Sequence, residues 1–214
     1  HNLENIYKKV SEIIIVVKYK KELFIEKFWD NYKWVKITYV IQWNDKWTAA
    51  ALFWIKSDID VLVLYSPNID LYDQKSELLL KPWGKQIAKT VFGGIYNTIS
   101  YDDNAIKYWN DAYHIHGTFM VRDLLNQTMT KEVFNKIDIP VFLGYYFKDK
   151  ERSDHVVSVP DMIDFYESIS TPENQKVRVA YPDAERHVIS SWIFSKSIDI
   201  VKTDTYNFLD SLRH

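Results

Sequence analysis

Residues 36–55 read KITYVIQWNDKWTAAALFWI, and this stretch decides which fold the sequence favours. Its first part, Lys36–Ile41, is almost entirely β-branched or aromatic, which is typical of a strand. Residues 42–46 form a polar break, and residues 48–55 are apolar and rich in alanine, as in a buried helix. The stretch therefore predicts a strand that turns sharply into a helix.

The composition bounds the kind of protein. The chain has 214 residues, of which 47% are hydrophobic, enough for one domain with a substantial core. Its formal net charge of −2 gives no reason to expect nucleic acid or an anionic membrane as partner. Cysteine is absent, which excludes disulfides, thiol catalysis and cysteine-bound metals and leaves the compartment open. The apolar run 13–17 is far too short to span a bilayer, and no signal peptide is visible.

Strands alternate with helices along most of the chain, which predicts an α/β fold with a mostly parallel sheet and helices on both faces. Residues 2–30 carry apolar residues at helical spacing and predict one or two helices. Strands are predicted at 36–41, 58–69, 137–147 and 176–181, and helices at 161–168 and 195–212. The last helix has a core face predicted from Ile198, Ile200, Val201, Tyr206, Phe208 and Leu209.

Residues 72–135 interrupt this alternation. They show no strong strand, and Pro82 and the pair Gly93-Gly94 divide them into short helices rich in aromatic residues. A helical insertion of about sixty residues is compatible with a cap over a site, placed on a core of residues 1–71 and 136–214. A plain helical subdomain is the alternative.

Two residues at predicted strand ends suggest acid–base chemistry. Asp154 follows the third strand and His187 follows the fourth, and Asn44 stands in the polar break after an earlier strand. A relay of nucleophile, histidine and buried carboxylate can place its members in this chain order at one edge of a parallel sheet. We therefore expect Asp154 and His187 to lie within hydrogen-bonding distance at the carboxyl edge of the sheet, near residue 44.

Other residues could take part in the site. Asp183 is a weaker candidate for the acid, because it is close to His187 in sequence. His114 and His116 have a spacing that could bind zinc on a strand, but no third ligand is evident, so no metal is predicted. We expect a cavity at the same edge, lined by aromatic residues of the insertion together with Ser66, Asn68 and Trp192.

Four segments of residues 58–212 form a recognisable set: LVLYSPNIDLYD, LLLKPWGKQIAKTVFGG, IPVFLGYYFKDKERSDHVVSVP and VAYPDAERHVISS. On these segments, residues 58–212 resemble the carboxyl-terminal half of bacterial α/β-hydrolases of the carboxylesterase and monoacylglycerol-lipase-like group. The resemblance implies hydrolysis of acyl esters without a cofactor, with Asp154 as the acid, His187 as the base and residues 72–135 as a cap that shapes an acyl pocket.

The predicted turn departs from the motif of these enzymes, G-x-S-x-G, in which a strained turn, called the nucleophile elbow, exposes the serine nucleophile. Aligning that motif with residues 42–48 puts Asn44 at the serine position and Gln42, Lys46 and Trp47 where small residues are required. In an adjacent register Asp45 would be the nucleophile, as in relatives that cut carbon–halogen bonds. The family's first strands should precede the helix at which this chain begins, so the chain resembles the second half of that fold or a degenerate copy.

Two hypotheses follow. The first is a carboxylic-ester hydrolase that acts on a small or lipid-like acyl ester through Asp154, His187 and a nucleophile at Asn44 or Asp45. The second is a non-catalytic module of the same fold that binds a small apolar ligand or a protein partner. The intact acid and histidine favour the first hypothesis, and the altered elbow favours the second.

Overall fold

The computed structural model describes residues 12–17, 31–32, 35–41, 59–91, 93–100, 106 and 111–212. The chain forms two compact units, His1–Ile59 and Asp60–His214.

The first unit contains a three-stranded sheet made of β1 (Glu12–Val17), β2 (Asn31–Tyr32) and β3 (Val35–Ile41), in the order β1-β3-β2. Strands β1 and β3 are parallel, and β2 is antiparallel to β3. The strand predicted at 36–41 is confirmed. The prediction of helix within residues 2–30 is wrong at Glu12–Val17, which forms a strand paired with β3. Every residue of this run after Glu12 is β-branched, which favours a strand.

The second unit contains the elements that follow in the chain. These are β4 (Leu62–Tyr65), a 3₁₀ helix (Gln74–Leu80), α1 (Gly84–Val91), β5 (Tyr96–Thr98), β6 (Ala112–His114), α2 (Ile115–Thr128), α3 (Lys131–Phe134), β7 (Val141–Tyr145), α4 (Val159–Ser168), a short 3₁₀ helix (Glu173–Gln175), β8 (Lys176–Ala180) and α5 (Ile198–Ser211).

A parallel sheet in the order β4-β7-β8 organises this unit. Every residue of the central strand β7 is buried, as a parallel strand covered on both faces requires. The three strands lie where the sequence predicted them, with shorter bounds, and the predicted α/β class is confirmed.

Helices cover both faces of this sheet. Alternate residues of a strand point to opposite sides, so β7 contacts a different helix on each face. On one face, Val141 and Leu143 belong to a core cluster with Met162 and Phe165 of α4. On the other face, the ring of Phe142 lies 5.6 Å from that of Phe208 in α5. The central strand is therefore packed between α4 and α5.

Two hydrogen bonds attach α5 to the sheet. The hydroxyl groups of Tyr65 and Thr205 lie 2.7 Å apart, and the hydroxyl of Tyr181 donates to Asp204 at 3.1 Å. Burial, reinforced by the Asp204 carboxylate, raises the pKa of Tyr181, so its hydroxyl stays protonated and remains a donor. The prediction that Ile200 belongs to the core face is wrong, since its side chain is 55% exposed.

The described part of residues 72–135 is mainly helical but also holds a short hairpin. Strands β5 and β6, of three residues each, pair antiparallel from Tyr96 opposite His114 to Thr98 opposite Ala112. The sequence predicted no strong strand in this segment, and these two are short. Three-residue strands give too little alternation to be recognised from sequence. The role of this segment as a cap stays a prediction. Among the described residues, no helix has the length and apolar character needed to cross a membrane.

Replacing Gly144 by alanine tests how tightly β7 packs against the loop after β8. A β-carbon at Gly144 would lie 3.0 Å from Cε2 of Tyr181 and 3.2 Å from Cδ1 of Ile189. We expect Gly144→Ala to lower the free energy of unfolding by about 1–3 kcal/mol, because these crowded side chains must shift. Urea denaturation measures the change.

Gly117→Ala is the matched control. Nothing lies within 4 Å of a β-carbon built at Gly117, which is in helix α2. Alanine there should be neutral or should stabilise the protein by up to about 1 kcal/mol. Equal stability of the two alanine variants would contradict the packing described for Gly144.

Candidate functional site

The carboxyl ends of the parallel strands β4, β7 and β8 meet at one edge of the sheet. Ser66 directly follows β4, Asp154 lies in the loop after β7, and His187 lies in the loop after β8. This edge is where open α/β sheets bind their ligands.

Asp154 is buried, and both of its carboxylate oxygens have partners. Oδ1 accepts hydrogen bonds from the backbone N–H groups of Val156 at 2.9 Å and Val157 at 3.2 Å. Oδ2 lies 2.7 Å from Nδ1 of His187. The contact between Asp154 and His187 expected from the sequence is therefore present. A buried carboxylate needs such partners, because leaving it unpaired would carry a large desolvation penalty.

The loop that carries Asp154 is a small hairpin. Phe147 and Ser153 form an isolated antiparallel bridge, and the N–H of Lys148 donates to the carbonyl oxygen of Arg152 at 2.9 Å. At the end of this hairpin, the N–H of Asp154 donates to the carbonyl oxygen of Tyr146 at 3.2 Å. The backbone thus returns Asp154 to the end of β7.

The loop that carries His187 turns through a strained residue. Glu185 has a φ of 58°, in the left-handed region that costs a non-glycine residue roughly 1–2 kcal/mol. Its carboxylate accepts a hydrogen bond from Lys196 at 3.0 Å, which lowers the pKa of Glu185. Ala184 and Ile189 on either side of His187 are fully buried and fix the loop to the core.

This geometry sets the protonation pattern of His187. An ionised carboxylate can only accept, so Nδ1 of His187 carries the hydrogen of the contact with Asp154. The other ring nitrogen, Nε2, then has a free electron pair and can take a proton from a reacting group. The His187 side chain is 29% exposed, whereas that of Asp154 is fully buried. The pair therefore combines a fixed acceptor with a partly accessible base.

Ser66 and Asn68 add buried polar atoms at the same edge. Oγ of Ser66 and Oδ1 of Asn68 are buried, and neither has a hydrogen-bond partner in the described part of the chain. Ser66 has a φ of 44°, and its N–H donates to the carbonyl oxygen of Gly144 at 2.8 Å. Strained backbone and unpaired buried oxygens are both more frequent at functional sites than elsewhere.

The structure places the other predicted site residues in different surroundings. Asp183 is largely exposed and lies 3.9 Å from Lys148, while His187 contacts Asp154 instead. His114 caps helix α2, because its Nδ1 accepts from the N–H of His116 at 3.0 Å. Trp192 is 69% exposed, and its place beside a ligand stays a prediction. Among the residues that the structure describes, no group of three or more metal-ligating side chains is found.

The candidate nucleophiles Asn44 and Asp45 and the helix predicted at 48–55 lie outside the described residues.

The sequence analysis missed a buried ion pair beside the site. Arg122 of α2 is only 3% exposed and donates a hydrogen bond to Asp70, in the loop after β4. One signal was available: Arg122 falls at helical spacing between Phe119 and Leu125, two buried residues of the same helix. A charged residue within an apolar stripe indicates a buried partner.

Comparisons with known proteins bear on the fold. No family model and no curated protein matches the sequence. One of two metagenome-derived lipolytic enzymes, LipS and LipT, is similar in structure with a TM-score of 0.56 and 9% identity, over 81% of this chain and 64% of the enzyme. Monoacylglycerol lipase of Paleococcus ferrophilus is similar with a TM-score of 0.51 and 11% identity, over 94% of each chain. At these identities the similarity concerns the fold alone, a parallel sheet flanked by helices.

Asp154→Ala tests whether the carboxylate organises its loop. The substitution leaves the N–H groups of Val156 and Val157 without their acceptor. We expect the free energy of unfolding to fall by about 1–3 kcal/mol, since the buried N–H of Val157 loses its partner, whereas Val156 is exposed and its N–H can reach water. Amide exchange at Val156 and Val157 should also become faster.

Asp183→Ala is the control for this change, because Asp183 is the neighbouring acid with a largely exposed side chain. It should leave both the stability and the exchange rates at Val156 and Val157 as they are. Unchanged amide protection in Asp154→Ala would show that the carboxylate does not hold this loop.

Proposed function

We propose that the chain is an ester hydrolase of the α/β-hydrolase type, in which His187 is the general base. The observation that carries the proposal is the 2.7 Å contact between Nδ1 of His187 and the fully buried carboxylate of Asp154. The similarity to lipolytic enzymes of the same fold supports ester hydrolysis as the reaction class.

Each member of the pair has a defined task in acyl transfer. Nε2 of His187 takes a proton from the attacking hydroxyl or water and later returns it to the leaving alkoxide. The Asp154 carboxylate keeps the ring in the tautomer with hydrogen on Nδ1 and stabilises the imidazolium that forms. This cycle requires neither a metal nor an organic cofactor, so none is proposed.

The substrate is a carboxylic ester with a small or lipid-like acyl group. The buried oxygens of Ser66 and Asn68 are suited to hydrogen bonds with the polar part of such a molecule. Trp192 and the cap proposed at residues 72–135 would supply apolar contacts for the acyl part.

The nucleophile position determines how active the chain is. An asparagine amide is not a nucleophile, so with Asn44 at the elbow the chain should turn over simple esters only very slowly. Losing one member of a catalytic triad costs several orders of magnitude in rate, because the members act as a unit. Asp45 is the alternative nucleophile.

Restoring the elbow should raise the activity. The variant Asn44→Ser alone should recover little, because the turn also needs glycine to present the hydroxyl. Combining Asn44→Ser with Gln42→Gly, Lys46→Gly and Trp47→Gly should recover more. The assay is hydrolysis of a short-chain nitrophenyl ester by each protein, with His187→Ala added to every one of them as the control.

The His187→Ala controls decide between the possible outcomes. Activity that appears on repair and disappears with His187→Ala is the expected result. Strong activity in the unmodified chain that His187→Ala abolishes would move the nucleophile away from Asn44, with Asp45 next. Turnover that survives His187→Ala in every protein would refute a hydrolase site at this position.

A second candidate function is a non-catalytic module that binds a small ligand. The unpaired oxygens of Ser66 and Asn68 favour it, because a buried acceptor without a donor destabilises the protein unless a ligand supplies one. The asparagine at the elbow is consistent with this function, since ligand binding needs no nucleophile.

Ser66→Ala separates ligand binding from a structural role. Removing an unpaired buried hydroxyl should leave the free energy of unfolding unchanged or slightly higher. The affinity for 1-O-octylglycerol, a non-hydrolysable ether analogue of a monoacylglycerol, should fall by about fivefold, equivalent to one hydrogen bond of roughly 1 kcal/mol. Isothermal titration calorimetry measures the affinity and urea denaturation the stability. An unchanged affinity together with a clear loss of stability would assign Ser66 to the fold alone.

A further inference from the structure

The buried guanidinium of Arg122 is a charged group that the proposed reaction does not use. We propose that Arg122 is a positioning residue, which holds the Asp154 carboxylate in place for His187 through Asp70 and two short backbone segments. This inference rests on the proposed function, because it extends the Asp154–His187 pair to a third, distant residue.

Arg122 is at the centre of a group of polar contacts. Its Nη1 donates to Oδ1 of Asp70, and its Nη2 donates to Oδ1 of Asn126 at 2.7 Å. Weaker contacts reach Oγ of Ser76 at 3.5 Å and Oε1 of Glu77 at 3.3 Å. The Arg122 side chain is 4% exposed and that of Asp70 is 19% exposed, whereas Glu77 is mostly in solvent. Asp70 is therefore the main ionic partner.

Asp70 begins a backbone segment that pairs with the loop after Asp154. The N–H of Ser158 donates to the carbonyl oxygen of Asp70 at 2.8 Å, and the N–H of Tyr72 donates to that of Val156 at 3.2 Å. Between these two bonds, Leu71 and Val157 form an isolated antiparallel bridge. Residues 70–72 and 156–158 thus form a short two-stranded ribbon.

This ribbon holds the Asp154 carboxylate. The N–H groups of Val156 and Val157 both donate to Oδ1 of Asp154, and the carbonyl oxygen of Val156 accepts from Tyr72. The peptide unit between Val156 and Val157 is therefore bonded through its N–H to Asp154 and through its carbonyl oxygen to Tyr72, in the segment that begins at Asp70. A continuous set of contacts leads from α2 to the catalytic pair.

The energetics favour a positioning role over a purely stabilising one. A buried ion pair gains little stability compared with apolar residues of the same size, because both charges lose their water. Nε of Arg122 is also buried without a partner in the described residues, which adds to that cost. The contribution of the pair is orientation, since the planar guanidinium fixes the position of the Asp70 carboxylate and therefore of the ribbon that begins at Asp70.

The test measures the tautomer of His187 by ¹⁵N NMR in the full chain. Arg122→Met removes the cation at similar length, Asp70→Asn removes the anion at constant shape, and Arg122→Lys keeps a cation opposite Asp70. Lys176→Met is the matched control: Lys176 is also a buried cation, paired with Glu173 at 2.7 Å, but it lies at the opposite end of β8.

We expect the share of His187 with hydrogen on Nδ1 to fall by about half or more in Arg122→Met and in Asp70→Asn, because the displaced carboxylate no longer fixes the tautomer. Arg122→Lys should retain most of the Nδ1–H signal, and Lys176→Met should lower the melting temperature without changing the tautomer. The variant that combines Arg122→Met with Asp70→Asn should be no worse than either alone, since both act through one contact.

An unchanged tautomer in folded Arg122→Met or Asp70→Asn would overturn the proposal, as would an equal change in Lys176→Met. If Arg122→Met does not fold, Asp70→Asn and Arg122→Lys decide the question. The NMR measurement does not depend on catalysis, so it tests the role of Arg122 even if the chain hydrolyses no ester. If the NMR test contradicts that role, the nitrophenyl ester assay still tests the proposed function.

Discussion

The carboxylate of Asp154 is buried and meets three donors, and the candidate site depends on that arrangement. Two of the donors are backbone N–H groups of the loop that follows, and the third is Nδ1 of His187. If the backbone donors were lost, the carboxylate would turn toward solvent, since a buried charge cannot stay unpaired. His187 would then lose the partner that fixes its tautomer. The orientation of His187 is thus a consequence of the way in which Asp154 is buried.

The sheet brings these groups together because its strands are parallel and adjacent. Strand β7 delivers Asp154 and β8 delivers His187 to the same edge, and Gly144 of β7 leaves room for Tyr181 and Ile189 beside the histidine loop. Ser158 directly follows the residues that donate to the acid and is the N-cap of helix α4, so the loop ends at a fixed helix start. The result is a site in which rigid elements hold short loops.

The sequence predicted the structural features that depend on local patterns. The runs that form β3, β4, β7 and β8 all contain β-branched residues with few breaks, and the order of Asp154 and His187 at strand ends suggested their contact. The apolar residues of β1, together with Val10, also match helical spacing, so the sequence predicts a helix where the structure has a strand. The link from Arg122 to Asp70 crosses 52 residues and depends on tertiary packing, which no local pattern encodes.

The central claim is that the Asp154 carboxylate keeps hydrogen on Nδ1 of His187 and leaves Nε2 free to accept a proton. Neutron diffraction from a deuterium-exchanged crystal at neutral pH tests it most directly, because it locates that hydrogen. We expect deuterium on Nδ1, directed at Oδ2 of Asp154. Deuterium on Nε2 alone, or a ring turned away from Asp154, would contradict it.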